Sequence, residues 1–184
     1  IVKPIIYCEK DKYAQRVLQS NMQKGHIEKA KIIEDVRDVS RKTIGPIRID
    51  VVYGGFPCQD ISRIGVQKGI KGERSGLVSE VFRIIKEIKP PLVILENVAA
   101  IITNGLETII RTFDAIGYDV SWDIVSAEMF GAPHVRKRCI IVAKARSNTI
   151  STKGSKKNKS GTRTIEGADR DNEMGNAAVI KRSK

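Results

Sequence analysis

The chain has 184 residues, enough for one domain with a buried core or for a domain followed by a tail. Its 33 lysines and arginines outnumber 21 acidic residues, and the net charge of +12 suggests an anionic partner such as nucleic acid. The apolar runs are too short for a membrane-spanning helix. Three scattered cysteines without a CxxC pair argue against a disulfide framework or a zinc site and favour a cytoplasmic protein.

Strand and helix patterns alternate along the first 145 residues. β-branched and apolar residues predict strands at 1–8, 31–34, 49–54, 92–95, 120–126 and 138–143. Apolar spacing and capping residues predict helices at 11–24, 75–89 and 104–117. The third helix is assigned from a candidate capping box that Asn104 forms with Glu107. This alternation predicts an α/β fold with a doubly wound, mostly parallel sheet.

The last part of the chain, residues 146–184, differs in composition from the first 145. It holds ten Lys and Arg residues but only four acidic ones, and large apolar side chains are scarce. Such a segment buries too little apolar surface to offset the entropy of ordering it. We therefore divide the chain into a core at 1–145 and a basic tail, linker or interrupted second domain at 146–184.

Ligands of such sheets bind beyond the carboxyl ends of the strands, and chemistry-bearing side chains stand there. Glu9 and Asp35 follow the first two predicted strands, and Glu96 follows the fourth. Cys58 follows the third strand in a Gly-Gly-x-Pro turn, which favours a reactive thiol over an inert buried one. For the three acids, a helix-capping or surface role stays open.

Two arginines stand immediately before or at the start of the last predicted strand. Arg136 and Arg138 point to the same side if the backbone is extended. Together they could grip a phosphate or a carbonyl oxygen. A solvated basic loop is the alternative interpretation.

Five segments in this order resemble motifs of the C5-cytosine DNA methyltransferase family. The segments are CEKDKYA (8–14), GGFPCQDIS (54–62), GERSGLVSEVFRIIKEIKP (72–90), ENV (96–98) and GAPHVRKRCIIVA (131–143). The resemblance covers residues 1 to about 145. It implies a Rossmann-like, S-adenosyl-L-methionine-dependent methyltransferase fold that lacks its first strand and Gly-rich loop. Residues 146–184 would then be a flexible tail or the start of a truncated target-recognition region.

The resemblance implies an enzyme that transfers a methyl group from S-adenosylmethionine to C5 of a cytosine flipped out of double-stranded DNA, in a restriction-modification or phage setting. It needs neither a metal nor a membrane. Cys58 would form a covalent adduct at cytosine C6, with Glu96, Arg138 and Arg136 as the other catalytic residues. The implied cofactor-binding residues are Glu9, Asp35, Pro57 and Leu77, and the implied DNA-binding residues are Gln59 and Ser62.

Two other interpretations stay open. The tRNA-methylating relatives share this single-cysteine layout, and a non-catalytic remnant could bind nucleic acid through charge alone. The sequence also departs from the family pattern: Lys10 replaces an aromatic residue, and the Gly-rich loop and the recognition domain are absent. We therefore expect these 184 residues alone to bind the cofactor weakly or not at all.

Overall fold

The structure is a computed structural model of the chain and describes residues 3–57, 77–146 and 178–182, the last range through its backbone. The strands are β1 (Lys3–Cys8), β2 (Lys31–Ile33), β3 (Val51–Gly55), β4 (Leu92–Val98), β5 (Tyr118–Ser126), β6 (Lys137–Ala145) and β7 (Ala178–Arg182). The helices are α1 (Lys12–Gln23), α2 (Arg41–Ile44), α3 (Leu77–Ile88), α4 (Ile101–Asn104) and α5 (Leu106–Ala115), with short 3₁₀ turns at Val36–Asp38 and Ala127–Phe130.

The described strands form one seven-stranded sheet in the order β2-β1-β7-β3-β4-β6-β5. β1 pairs with β2, and β3 with β4, in parallel, whereas β6 and β7 run antiparallel to both of their neighbours. Strands β1 to β5 therefore all point the same way. The predicted α/β class with mostly parallel strands is confirmed, and the two exceptions are β6 and β7, which run in the opposite direction.

β7 is an interior strand, third of the seven across the sheet, and runs antiparallel to both β1 and β3. In the doubly wound order 3-2-1-4-5, the first strand lies between the second and the fourth. If β1 is counted as the second strand of that order, β7 fills the position of the first, in the reverse direction. No strand is predicted from the sequence in this part of the tail.

Helix α3 links the two apolar clusters of the core. Phe82 and Ile85 belong to a cluster with side chains of β4, β6 and α5, in which the ring centroids of Phe82 and Phe113 lie 4.9 Å apart. Ile84 and Ile88 belong to a second cluster with side chains of β1, α2 and β3. The apolar residues whose spacing predicts α3 therefore pack into both clusters.

Capping residues correctly predict where α1 begins and ends, but they do not predict the start of the helix after β4. The Asp11 carboxylate accepts a 2.7 Å hydrogen bond from Ala14 N–H and begins α1. The predicted capping box at Asn104 is wrong, because Gly105 interrupts the segment there and α5 begins without a side-chain cap. Glu107 instead forms an ion pair with Arg111 one turn later, in which Arg111 Nη2 lies 2.6 Å from Glu107 Oε1.

None of the helices in the described ranges combines the length and the apolarity needed to cross a bilayer.

Candidate active site

The carboxyl ends of β1 to β5 and the first residues of β6 lie along one edge of the sheet, which we call the carboxyl edge. Glu9 follows β1, Pro57 follows β3 by two residues, and Glu96 lies within the last three residues of β4. β4 continues three residues beyond its predicted end, so Glu96 is held by strand pairing and not by a loop. The edge therefore presents these groups on a rigid support.

Glu96 and Arg138 meet across the β4–β6 pairing. Val98 stands opposite Arg138, and Glu96 lies two residues before Val98, so the two side chains are diagonal neighbours on one face. Arg138 Nε lies 2.8 Å from Glu96 Oε1, with the side chains 18% and 32% exposed. An acceptor and a donor thus stand side by side and partly shielded, as recognition of a planar polar ligand requires.

Asn97 holds the end of β3 against β4 through a buried amide. Its Nδ2 donates to the Phe56 carbonyl at 2.7 Å, its Oδ1 accepts from Val98 N–H at 2.8 Å, and the residue is 4% exposed. The sequence patterns predict no role for Asn97. The available signal was its position in the buried register of β4, two residues after Leu95, where a polar group must find partners.

The segment predicted to carry the nucleophile begins where the described range ends. The predicted nucleophile Cys58 and the predicted DNA-binding residues Gln59 and Ser62 lie outside the described residues. Pro57, half-buried, is the last described residue before them. Leu77, the other apolar residue predicted to line the cofactor pocket, is the first residue of α3 and is 42% exposed.

Glu9 is buried at the end of β1 and is only 3% exposed. Its backbone is fixed from both sides: its N–H donates to the Ile33 carbonyl at 3.0 Å, and its carbonyl accepts from Gln15 Nε2 at 2.6 Å. Its carboxylate accepts from Asp11 N–H at 2.8 Å and has further lone pairs. The side chain can therefore accept hydrogen bonds from a ligand's hydroxyl groups.

Asp35 already has a partner that the sequence analysis did not foresee. Arg37 Nε lies 2.9 and 3.0 Å from the two carboxylate oxygens, and Arg37 N–H donates to one of them at 2.9 Å. These hydrogen bonds lower the pKa of Asp35 from 3.8 to about 2. Asp35 is therefore a charged acceptor, and an adenine amine would share it with Arg37.

The structure brings Arg138, but not Arg136, to Glu96. Arg136 stands before β6 and is half-buried, and its carbonyl accepts from Ala127 N–H at 3.2 Å. The carboxyl edge thus divides into two parts. Glu9 and Asp35 lie beside β1 and β2, and Glu96 and Arg138 lie on β4 and β6. Between β1 and β4 there are three strand spacings, about 14 Å at ~4.8 Å per strand, and the other pairs are farther apart.

The family model described as C-5 cytosine-specific DNA methylase matches residues 2–180 of the chain. The Type II methyltransferase M.BsuFI of Bacillus subtilis is 34% identical over 146 residues, which cover 76% of this chain and 33% of that protein. The orphan methyltransferase M.SssI of Spiroplasma monobiae is 33% identical over 144 residues, covering 72% of this chain and 37% of that protein. The chain spans about a third of the length of these curated relatives.

Two solved structures share the fold at low sequence identity. A protein described as a DNA modification methyltransferase encoded within a prophage (E. coli) has a TM-score of 0.59 and 23% identity, over 77% of this chain and 40% of that one. The S. pombe Dnmt2 methyltransferase has a TM-score of 0.58 and 21% identity, over 75% of this chain and 42% of that one. These likenesses support the Rossmann-like methyltransferase fold.

Proposed function

Because the chain belongs to the C-5 cytosine-specific DNA methylase family, we propose that it forms the catalytic core of an enzyme that methylates C5 of cytosine in double-stranded DNA. The observation that carries the proposal is the Glu96–Arg138 pair beside the end of β3. Curated relatives that bear the name Type II methyltransferase support a restriction-modification setting. The cytoplasmic location stays a prediction.

The proposed chemistry overcomes the poor nucleophilicity of an aromatic C5. The Cys58 thiolate adds to cytosine C6, and the electron pair of the C5–C6 double bond becomes available at C5. After C5 has accepted the methyl group, loss of the C5 proton restores the double bond and expels Cys58. A stacked base cannot reach the thiol, so the cytosine is flipped out of the duplex.

Glu96 and Arg138 hold the flipped base in this scheme. The Glu96 carboxyl hydrogen-bonds N3 and the exocyclic amine, where charge changes as the thiol adds. Arg138 is ion-paired with Glu96, and its Nη1 donates to the Lys137 carbonyl at 2.9 Å. The guanidinium has further N–H groups for cytosine O2. Arg136, which precedes β6, binds a phosphate or the Cys58 loop, and Gln59 and Ser62 contact the flipped nucleotide.

The acids beside β1 and β2 fit S-adenosylmethionine, which when bound supplies an electrophilic methyl group. Glu9 offers a buried carboxylate acceptor to the ribose hydroxyls, and Asp35 offers a charged acceptor to the adenine amine. Pro57 and Leu77 stand at the two ends of the segment between β3 and α3, where they can pack against the cofactor.

The decisive experiment traps the covalent adduct on DNA that contains 5-fluorocytosine, with saturating S-adenosylmethionine. Fluorine at C5 cannot leave as a proton does, so a working enzyme stays bound through Cys58. We expect a complex that survives denaturation, is lost in Cys58→Ala and persists in Cys139→Ala. Cys139 is a matched control, because that thiol is buried within β6.

Other outcomes would select the alternatives. An adduct with fluorocytosine-containing tRNA but none with DNA would favour the RNA-methylating interpretation. Reversible DNA binding without an adduct, at a concentration where calorimetry shows the cofactor bound, would favour the non-catalytic remnant.

A further inference from the structure

The loop between β5 and β6 carries three exposed apolar side chains. Among the large apolar side chains of the described ranges, Phe130 is the most exposed, at 79%. Met129 at 69% and Val135 at 60% belong to the same loop. These three residues are called the apolar tip. Met129 Sδ accepts from Ser126 N–H at 3.4 Å, but the exposed apolar surface of the three side chains is not buried in the fold. Exposed apolar side chains grouped in one loop mark a candidate binding surface.

The loop is hydrogen-bonded, so it presents the apolar tip in a defined position. Gly131 takes a positive φ of 82°, and its N–H donates to the Glu128 carbonyl at 3.0 Å. Ala127 closes the loop at its base: its N–H donates to the Arg136 carbonyl, and its carbonyl accepts from Ala132 N–H, both at 3.2 Å. Phe130 ends the 3₁₀ turn within this frame.

The apolar tip adjoins the pair on which the proposed function rests. The loop joins Ser126 to Lys137, which stand opposite each other at the carboxyl edge. The next residue, Arg138, holds Glu96. A molecule bound to Glu96 and Arg138 therefore lies at the base of the loop that carries Phe130.

The charges around the apolar tip favour a polyanion over an acidic or apolar protein surface. Arg136 and Lys137 stand at the end of the loop, against the single acid Glu128 within it, and Arg138 beside them is ion-paired with Glu96. An aromatic ring flanked by cations is the usual arrangement for nucleic acid: the ring stacks on a base and the cations bind phosphates. The net charge of +12 points to the same partner.

We propose that Phe130 packs against an unstacked base or a sugar next to the target cytosine, while Lys137 binds a phosphate of the same strand. The inference rests on the proposed function, because removing the cytosine from the stack exposes the faces of its neighbours. An apolar ring at that point covers a face that would otherwise meet water. Phe130 is thereby a DNA-contacting residue for the proposed reaction.

The test compares duplex binding by Phe130→Ala, Phe130→Trp, Lys137→Ala and Trp122→Ala over a range of salt concentrations, by fluorescence anisotropy with the full chain. Loss of a base–aromatic stack weakens binding by about 5- to 160-fold, and this is expected for Phe130→Ala at unchanged salt dependence. Phe130→Trp retains a stacking face and is expected to bind like the wild type. Lys137→Ala should lower the salt slope by about one.

Trp122 is the matched control. It is an exposed aromatic residue of the same hairpin, 44% exposed, but it pairs opposite Ile141 within the sheet and away from the loop. Trp122→Ala is therefore expected to bind DNA like the wild type. Equal thermal unfolding of the Phe130 variants and the wild type would show that the loss is local.

The outcomes separate this inference from the proposed function. If the wild type forms the fluorocytosine adduct and Phe130→Ala binds DNA as tightly as the wild type, the inference fails alone. If Phe130→Trp binds as weakly as Phe130→Ala, stacking is not the cause and the inference fails. If the wild type forms no adduct with DNA at a concentration where calorimetry shows the cofactor bound, the proposed function fails, and the inference fails with it.

Discussion

Arg138 Nε lies 2.8 Å from Glu96 Oε1, in a contact that joins the ends of two antiparallel strands. Both side chains are partly shielded from water, so their attraction exceeds that of a fully exposed ion pair. Because both belong to strands, the position of the carboxyl group is fixed before any ligand arrives. Preorganisation of this kind lowers a barrier by avoiding rearrangement during the reaction.

Replacing the Glu96 carboxyl by an amide is expected to slow methyl transfer. Glu96→Gln should lower the single-turnover rate by about 10²–10³-fold, as removal of one preorganised stabilising group does. The measurement is incorporation of a radiolabelled methyl group into DNA. Glu107→Gln is the control, because Glu107 forms an ion pair with Arg111 in which both side chains are more than three-quarters exposed. Equal rates for the two variants would contradict the role of Glu96.

Removing the buried amide of Asn97 is expected to destabilise the fold. In Asn97→Ala the buried Phe56 carbonyl loses its 2.7 Å partner, which costs about 1–3 kcal/mol of the free energy of unfolding. Urea unfolding measures the change, and Asn104→Ala, at an exposed site, is the control. An unchanged urea midpoint for Asn97→Ala would show that the hydrogen bond to Phe56 is not needed. If the bond positions the Cys58 loop, adduct formation on fluorocytosine DNA should slow as well.

The sequence predicts the elements with strong local patterns. Strand β3, with the apolar run at 51–55, and helix α3, with its 3.6-residue spacing, lie close to where they are predicted. The rule that ligands bind at the carboxyl ends of strands also places Glu9 and Glu96 on the observed edge. These features depend on neighbours in the chain, which a single sequence displays.

Features that depend on distant residues are beyond such patterns. The Asn97–Phe56 hydrogen bond spans 41 positions, and the Glu96–Arg138 contact needs the β4–β6 register. β7 is a short AVIKR run inside an otherwise polar segment, and its position is defined by the hydrogen-bonding edges of β1 and β3. Local patterns can also mislead. Asn104 and Glu107 have the spacing of a capping box, but Gly105 takes the N-cap position of α5 and no side chain caps the helix.

The three thiols are expected to differ sharply in reactivity. Burial, helped by nearby carboxylates, raises the pKa of both Cys8 and Cys139 to about 11. At pH 8 each is then thiolate in only about one molecule in a thousand. The proposed nucleophile Cys58 must reach a base, so its thiol is expected to be accessible. An aromatic disulfide reagent should therefore label one thiol rapidly in the native protein and three after denaturation. In Cys58→Ala we expect no rapidly labelled thiol, and two or more fast thiols in the native wild type would contradict the assignment.

Asp35 gives the stability of the fold a defined dependence on pH. Its pKa in the folded state is about 2, below the ordinary 3.8, because Arg37 donates hydrogen bonds to it. A depressed carboxyl pKa stabilises the folded state above about pH 3.8, and that stabilisation is lost as the pH falls through about 2. Arg37→Ala should return the carboxyl titration of Asp35, followed by NMR, toward 3.8. Arg16→Ala is the control, because the guanidinium of Arg16 lies over the Tyr13 ring. If the titration of Asp35 is not shifted in Arg37→Ala, Arg37 is not the cause of the low pKa.

A proline in β7 is expected to open the centre of the sheet. Ile180 pairs with Ile6 of β1 on one side and Val52 of β3 on the other. Proline has no N–H and is excluded from central strands, so Ile180→Pro should leave backbone groups unpaired, at about 1–3 kcal/mol each. Amide hydrogen exchange at residues of β1 and β3 should accelerate in this variant and not in Ile180→Val, which retains the N–H. Unchanged protection of both strands in Ile180→Pro would mean that β7 does not hold β1 and β3 together in solution.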